Sequence, residues 1–139
     1  MNIVVCIKQV PGTTKVKINP ETGTLVRDGV EAVVNPFDEY AIEEALRIKE
    51  KVGGTIKVIS MGPPQADGAL KSAIAMGADE GYLVSDRKFA GSDTWATSYT
   101  LVKAIGKKTA EDEAFDLILS GNESADGATG HVPAQVGEF

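Results

Sequence analysis

The chain has 139 residues, of which 42% are hydrophobic and 24% are charged, and its formal net charge is −6. This length suits one domain, and the negative charge argues against a nucleic-acid backbone or an anionic membrane as the main partner. The single cysteine, Cys6, excludes a disulfide framework within the chain and predicts a reducing, cytoplasmic location. The N-terminus does not resemble a signal peptide, and the apolar runs are far below the ~20 residues that span a bilayer, so we expect no membrane insertion.

The first predicted elements are a buried strand and a small hairpin. The apolar run over residues 3–10 is rich in β-branched side chains, which predicts a strand covered on both faces. Val16 and Ile18 then alternate with lysines, and a turn signal at 19–23 precedes the short apolar segment 24–26. This pattern predicts a β-hairpin.

The clearest predicted helix starts at Asn35, which suits the N-cap, with Pro36 at the first helical position and Asp38 in the first turn. Gly53 and Gly54 are expected to end it. Apolar residues at helical spacing should form its buried face, namely Phe37, Ala41, Ala45, Ile48 and Val52.

The rest of the chain alternates strands with helices. Strands are predicted over 55–60, 80–85 and 115–120, helices over 64–77 and 92–108, and a last helix near Thr129. The many alanines of the second helix should let it lie close to a sheet. Residues expected on the buried helix faces are Leu70, Ile74, Trp95, Tyr99, Val102 and Ile105. The order predicts one α/β domain over 1–139, with an open, doubly wound, mainly parallel sheet and flanking helices.

A ligand of such a sheet binds beyond the carboxyl ends of the strands, near the point where the strand order reverses. The predicted strand ends lead into Lys8, Met61 and the glycine-rich segment 120–131. Gly127 and Gly130 can let backbone amides approach a phosphate, or can simply permit tight turns. The sequence lacks the usual dinucleotide fingerprint, a P-loop, a nucleophile elbow and a zinc-like ligand set.

Several single residues allow two interpretations. Lys8 can reach a ligand at the strand end or extend into solvent, and Met61 can pack in the core or against an adenine ring. His131, the only histidine, can contact a ligand or lie on the surface. Cys6 is better explained as a small buried side chain than as a nucleophile. Trp95 is expected in the core.

Longer segments resemble the β subunit of electron transfer flavoproteins. They include VVCIKQVPGTT, VNPFDEYAIEEALRIKEK, VISMGPPQADGALKSAIAMGADEGYLVSD and FDLILSGNESADGATGHVPAQVGE. The match runs in order along nearly the whole chain. Because β subunits of this family are roughly twice as long, the resemblance implies that the chain is an N-terminal fragment.

The resemblance implies an adenine-nucleotide-binding, Rossmann-like domain that pairs with an α subunit carrying FAD. In simple electron carriers of this family the β subunit holds a structural AMP. In bifurcating members it holds FAD, which takes a hydride from NADH. One electron then goes to ferredoxin or flavodoxin, and the other goes through the α-subunit FAD to an acyl-CoA dehydrogenase-type flavoenzyme. No side chain of the β subunit would do covalent chemistry, since the cofactor carries the hard step.

The glycine-rich segment distinguishes these branches. It lacks the Asp-Cys-Asn-Gln-Thr type of sequence that AMP-type members carry, and DGATGHV looks more like the bifurcating type. The resemblance therefore favours FAD over AMP. A stand-alone domain similar to universal stress proteins is a further alternative, against which the hairpin and the NPFDEY helix count. The candidate cofactor-binding residues are Cys6 (through its backbone), Lys8, Asn35, Pro36, Phe37, Asp38, Met61, Gly62, Asp126, Gly127, Ala128, Thr129, Gly130, His131, Val132 and Gln135.

Overall fold

The computed structural model describes residues 1–12, 17–18, 20–21, 23, 25–26, 32–111 and 114–139. The strands of these ranges are β1 (Asn2–Cys6), β2 (Gln9–Pro11), β3 (Lys17–Ile18), β4 (Leu25–Val26), β5 (Ala32–Val34), β6 (Thr55–Met61), β7 (Glu80–Val84) and β8 (Leu117–Ser120). The α-helices are α1 (Pro36–Val52), α2 (Asp67–Met76), α3 (Thr94–Glu111) and α4 (Val132–Glu138), and 3₁₀ turns cover Pro64–Ala66 and Arg87–Phe89.

A parallel four-stranded sheet forms the centre of the fold, in the order β7-β6-β1-β8. Helices α1 and α2 cover one face, where Ala69 and Ala73 of α2 are buried in the same cluster as Ile56 and Val58 of β6. Helices α3 and α4 cover the other face. The predicted doubly wound α/β architecture is thus confirmed, and so is the close approach of the alanine-rich helix.

The predicted strand over residues 3–10 is wrong in one respect, because it is split in two. Ile7 still donates to the Ile59 carbonyl of β6 at 2.9 Å, but the Lys8 amide donates to the Asp38 carboxylate at 2.8 Å. The backbone therefore leaves the central sheet at Lys8. Its continuation, β2, pairs antiparallel with β5, a strand that the sequence did not predict. The buried residues of β1 agree with the expected strand covered on both faces.

The predicted hairpin is present as the antiparallel pair β3 and β4, in which Ile18 lies opposite Leu25. Val16, the other residue of that alternating pattern, lies outside the described residues. The last helix begins at Val132 rather than near Thr129. Gly130 adopts a φ of 66° just before it, and Pro133 occupies its first turn.

Four predicted core residues are exposed: Val52 by 60%, Ile74 by 45%, Trp95 by 55% and Tyr99 by 49%. In α1 the inward face is turned toward Ile42, which is fully buried and was missed. The Trp95 and Tyr99 rings lie beside Phe139, with ring centroids 4.6 and 5.7 Å from its ring, instead of facing the sheet. Of the helices in the described ranges, none has the length and apolar character needed to cross a membrane.

Candidate functional site

The strand order reverses between β1 and β8, and we call the space beyond the carboxyl ends of these two strands the crevice. From β1 the chain moves outward through β6 to β7, whereas β8 returns to the opposite side of β1. The order reverses between these two strands, and such a point is the usual ligand position in an open α/β sheet. Three segments meet there: the turn after β1 at Lys8, the start of α1, and the segment 121–131 after β8, which we call the glycine loop.

Asn35 connects the start of α1 to the glycine loop. It is only 1% exposed, and its backbone N–H donates to the Lys8 carbonyl at 2.8 Å. Its Nδ2 donates to the Glu123 carbonyl at 2.8 Å, and its Oδ1 accepts from the Ala125 N–H at 3.0 Å. Asn35 holds the predicted N-cap position, but its side chain makes no capping hydrogen bond because both of its polar atoms bind the loop.

Asp38 connects all three segments at one carboxylate. Its Oδ2 accepts from the Lys8 N–H at 2.8 Å, and its Oδ1 accepts from the Gly121 N–H at 3.0 Å. Burial raises the pKa of Asp38 above its usual value, while hydrogen bonds from Asn35, Gly121 and Lys8 oppose that rise. The two hydrogen bonds show that each carboxylate oxygen of Asp38 binds a backbone N–H group.

Gly121, the residue directly after β8, lies tightly against the start of α1. A Cβ at this position would lie 2.6 Å from Asp38 Oδ1 and 2.6 Å from the Phe37 carbonyl carbon. Only glycine fits without displacing α1. The sequence shows Gly121 directly after a strand, but nothing in the local pattern indicates which segment it touches.

Lys8 and Asp126 form an ion pair at the mouth of the crevice. The Lys8 ammonium lies 2.7 Å from Asp126 Oδ1 and 3.4 Å from Ser124 Oγ. The Asp126 side chain is 11% exposed and the Lys8 side chain 48% exposed. Ser124 also donates to the Gly127 carbonyl at 3.0 Å, which closes a small turn within the loop. The Lys8 side chain is thus half-exposed and paired with the glycine loop.

The far part of the glycine loop carries mostly short side chains and is open to solvent. Its exposed members are Ala125, Gly127, Ala128, Thr129, Gly130 and His131. The Thr129 N–H donates to the Gly127 carbonyl at 2.9 Å. A ligand in the crevice can approach this backbone closely because few side chains cover it.

Three further candidate residues, Cys6, Met61 and Gly62, lie at the ends of β1 and β6. Cys6 ends β1 and is buried, and burial raises the pKa of its thiol to about 12, with a smaller contribution from the charge of Asp38. Met61 packs against the same apolar cluster as Cys6, and the Gly62 N–H donates to the Val84 carbonyl at 3.1 Å. A buried thiol that stays protonated is unreactive, which agrees with the interpretation of Cys6 as a small apolar residue.

Two candidates of α4 hold that helix against α3. Val132 packs on the apolar cluster of this face, and Gln135 Oε1 lies 3.0 Å from the Ser98 hydroxyl. Ser98 is fully buried, and its role was not apparent from the sequence. At the start of α1, Pro36 is exposed and Phe37 is half-buried.

A family model described as the electron transfer flavoprotein domain matches residues 22–139. The chain belongs to the electron transfer flavoprotein domain family. A protein of Thermoanaerobacterium thermosaccharolyticum named electron transfer flavoprotein subunit beta is 54% identical over 138 residues, which cover 99% of this chain and 51% of that protein. The family membership agrees with the resemblance that the sequence segments suggested.

Two further relatives carry more specific names. Protein FixA of Azotobacter vinelandii is 52% identical over 132 residues, which cover 95% of this chain and 47% of the relative. The caffeyl-CoA reductase-Etf complex subunit CarD of Acetobacterium woodii is 50% identical over 139 residues, covering 99% of this chain and 52% of the relative. The chain thus spans about half the length of the curated relatives it matches.

Proposed function

We propose that this chain is the nucleotide-binding part of an electron transfer flavoprotein β subunit and that it holds FAD in the crevice between β1 and β8. One observation carries the proposal. The glycine loop of a chain in this family is held at the switch point of a doubly wound sheet by Asn35, Asp38 and Lys8. This is the position at which such sheets bind nucleotides.

The residues at the crevice suit an adenine nucleotide with a diphosphate. The open backbone between Gly127 and Gly130 can approach phosphate oxygens, and Lys8 supplies a cation that is partly solvated and within reach of the loop. Met61 and the backbone of Cys6 lie at the adjoining strand ends and would form the wall beside the adenine. The cofactor would supply the redox chemistry, and this chain would bind it, orient it and limit its exposure to water.

The sequence of the glycine loop supports FAD rather than AMP. In DGATGHV the residues at 127, 128 and 130 are glycine or alanine, which leave space for a larger cofactor than a monophosphate needs. The relative CarD is named as a subunit of a caffeyl-CoA reductase-Etf complex. We therefore propose the bifurcating type of function, in which electrons from NADH pass both to ferredoxin or flavodoxin and to the FAD of an α subunit.

The proposal also names partners and a location. Besides the α subunit, the complex would contain an acyl-CoA dehydrogenase-type flavoenzyme that accepts the second electron, and it would work in the cytoplasm. The net charge of −6 suits a protein that docks with other proteins rather than with nucleic acid.

The decisive experiment identifies the bound nucleotides. The native protein is purified with any subunit that accompanies it, the nucleotides are released by denaturation, and they are identified and counted by mass spectrometry. Two FAD per αβ pair, together with NADH oxidation that depends on ferredoxin or flavodoxin, is the expected result. One FAD plus one AMP would favour the simple electron carrier, and ATP without an α subunit would favour a stand-alone nucleotide-binding domain.

A further inference from the structure

We propose that Asn35 and Asp38 are positioning residues that hold the glycine loop in its ligand-binding shape, and that their side chains do not themselves contact the nucleotide. This inference rests on the proposed nucleotide site and assigns a different role to two residues that the resemblance places among the ligand contacts. Together we call them the α1 clamp.

The clamp accounts for the course of the first half of the glycine loop. Asp38 Oδ1 accepts from the Gly121 N–H, Asn35 Nδ2 donates to the Glu123 carbonyl, and Asn35 Oδ1 accepts from the Ala125 N–H. These bonds act on alternate residues of one segment, with lengths between 2.8 and 3.0 Å. The loop therefore follows the start of α1 over five residues before it turns outward at Asp126.

The same two residues also connect the loop to the segment after β1. The second Asp38 oxygen accepts from the Lys8 N–H, and the Lys8 carbonyl accepts from the Asn35 N–H, both at 2.8 Å. The end of β1, the start of α1 and the end of β8 are thus linked by one hydrogen-bonded set. A shift of any one of these segments would alter the width of the crevice.

Burial indicates why these side chains act on backbone rather than on a ligand. Asn35 is 1% and Asp38 5% exposed, and both oxygens of Asp38 and both polar atoms of Asn35 are hydrogen-bonded to backbone. Leaving a buried polar group without a hydrogen-bond partner destabilises the folded protein. Asn35 or Asp38 could therefore contact a ligand only if the loop first released its hydrogen bonds to that side chain. The solvent-exposed groups beside the crevice are instead the Lys8 side chain, which is 48% exposed and paired with Asp126, and the loop from 127 to 131.

The test compares two exchanges at each clamp residue with a matched control. Asn35→Asp keeps an acceptor for the Ala125 N–H but removes the donor to Glu123, whereas Asn35→Ala removes both. Asp38→Asn leaves only one oxygen for two amides. The control is Asp79→Asn: Asp79 also accepts a strand amide, from Ile56 at 2.8 Å, but at the opposite end of the sheet.

Two quantities are measured on the native protein with any subunit that accompanies it. Amide hydrogen exchange is followed at Gly121 and Ala125, and the dissociation constants of AMP and of FAD are determined after removal of bound nucleotide. We expect Asn35→Ala to speed exchange at Ala125 by about 10-fold or more, and Asn35→Asp to leave that amide largely protected. We expect the clamp variants to weaken nucleotide binding by roughly 5- to 150-fold, and Asp79→Asn to change it less than about 2-fold.

Each outcome decides between the clamp and a rival. Loss of affinity with unchanged protection at Gly121 and Ala125 would mean that the side chains bind the ligand directly, which overturns the inference. Faster exchange with unchanged affinity would overturn the positioning role. If the unchanged protein binds neither AMP nor FAD, the proposed function fails, while the exchange pattern of the Asn35 variants still decides whether the clamp exists. Asn35→Asp keeps the test available if Asn35→Ala does not fold.

Discussion

Replacing Gly121 with alanine tests the close approach of β8 to α1. The added methyl carbon would lie 2.6 Å from Asp38 Oδ1, 2.6 Å from the Phe37 carbonyl carbon and 2.8 Å from Phe37 Cβ. Ordinary contacts of this kind are about 3.5 to 4.0 Å, so the two segments must separate by roughly 1 Å. That movement also lengthens the 3.0 Å hydrogen bond from the Gly121 N–H to Asp38.

The expected loss of stability follows from two effects. Overpacking costs about 1–3 kcal/mol, and weakening the hydrogen bond to a buried carboxylate costs about 1–3 kcal/mol more. Alanine restricts the unfolded chain and offsets about 0.4–1 kcal/mol. The φ of Gly121 is not in the left-handed region, so the backbone itself accepts alanine and the effect is steric. The net result should be a destabilisation of about 1–5 kcal/mol.

The assay is urea unfolding followed by far-ultraviolet circular dichroism, with the free energy of unfolding obtained by linear extrapolation. Gly106→Ala is the matched control, because Gly106 lies in α3 and nothing lies within 4 Å of its added Cβ. That variant should be neutral or more stable by about 0.5–1 kcal/mol. If Gly121→Ala behaved like Gly106→Ala, the tight junction between β8 and α1 would be refuted.

Two further predictions concern titratable groups. The hydrogen bond from the Ile56 N–H, and to a smaller extent that from Lys49, lowers the pKa of Asp79 below its unfolded value of 3.8. The ionised Asp79 carboxylate therefore stabilises the fold above pH 3.8, and this contribution is lost as the pH falls through the folded pKa. Asp79→Asn should therefore be less stable than the unchanged protein near neutral pH. This difference should shrink below about pH 4, and a constant difference in denaturation curves across this range would contradict the assignment. Burial raises the pKa of the Cys6 thiol to about 12, so a disulfide reagent at pH 8 should modify it only after unfolding, and rapid labelling of the folded protein would argue against its burial.

Local sequence signals were sufficient for most of the regular elements. Although β1 ends at Cys6 and not at residue 10, Asn35 and Pro36 mark the start of α1, Gly53 marks its end, and β6, β7 and β8 lie where the sequence predicts them. These features depend on neighbours within a few residues, through dihedral preferences and side-chain periodicity. Periodicity was less reliable for the inward face of α1, where Ile42 is buried and Val52 is exposed.

The candidate site shows the same division. The rule on strand ends predicted that Lys8, Met61 and the glycine loop would gather at one edge, and the structure joins Lys8 and the glycine loop through the start of α1. The same rule did not predict that the side-chain amide of Asn35 would bind the loop instead of capping its own helix. Nor did it predict that Asp38 would use both oxygens on the backbone amides of Lys8 and Gly121, which follow two different strands.

By itself, then, the sequence of this chain determined the order of its helices and of the four strands of the parallel sheet, the family it resembles and the segment at which a nucleotide would be expected. The tertiary structure decided where β1 ends, which side chains hold the glycine loop, and that Trp95 and Tyr99 lie on the surface. The physical reason is distance along the chain: Gly121 and Asp38 are 83 residues apart, and Ala125 and Asn35 are 90 apart. Such pairs meet only because β8 lies beside β1, and no local pattern encodes that choice of neighbour.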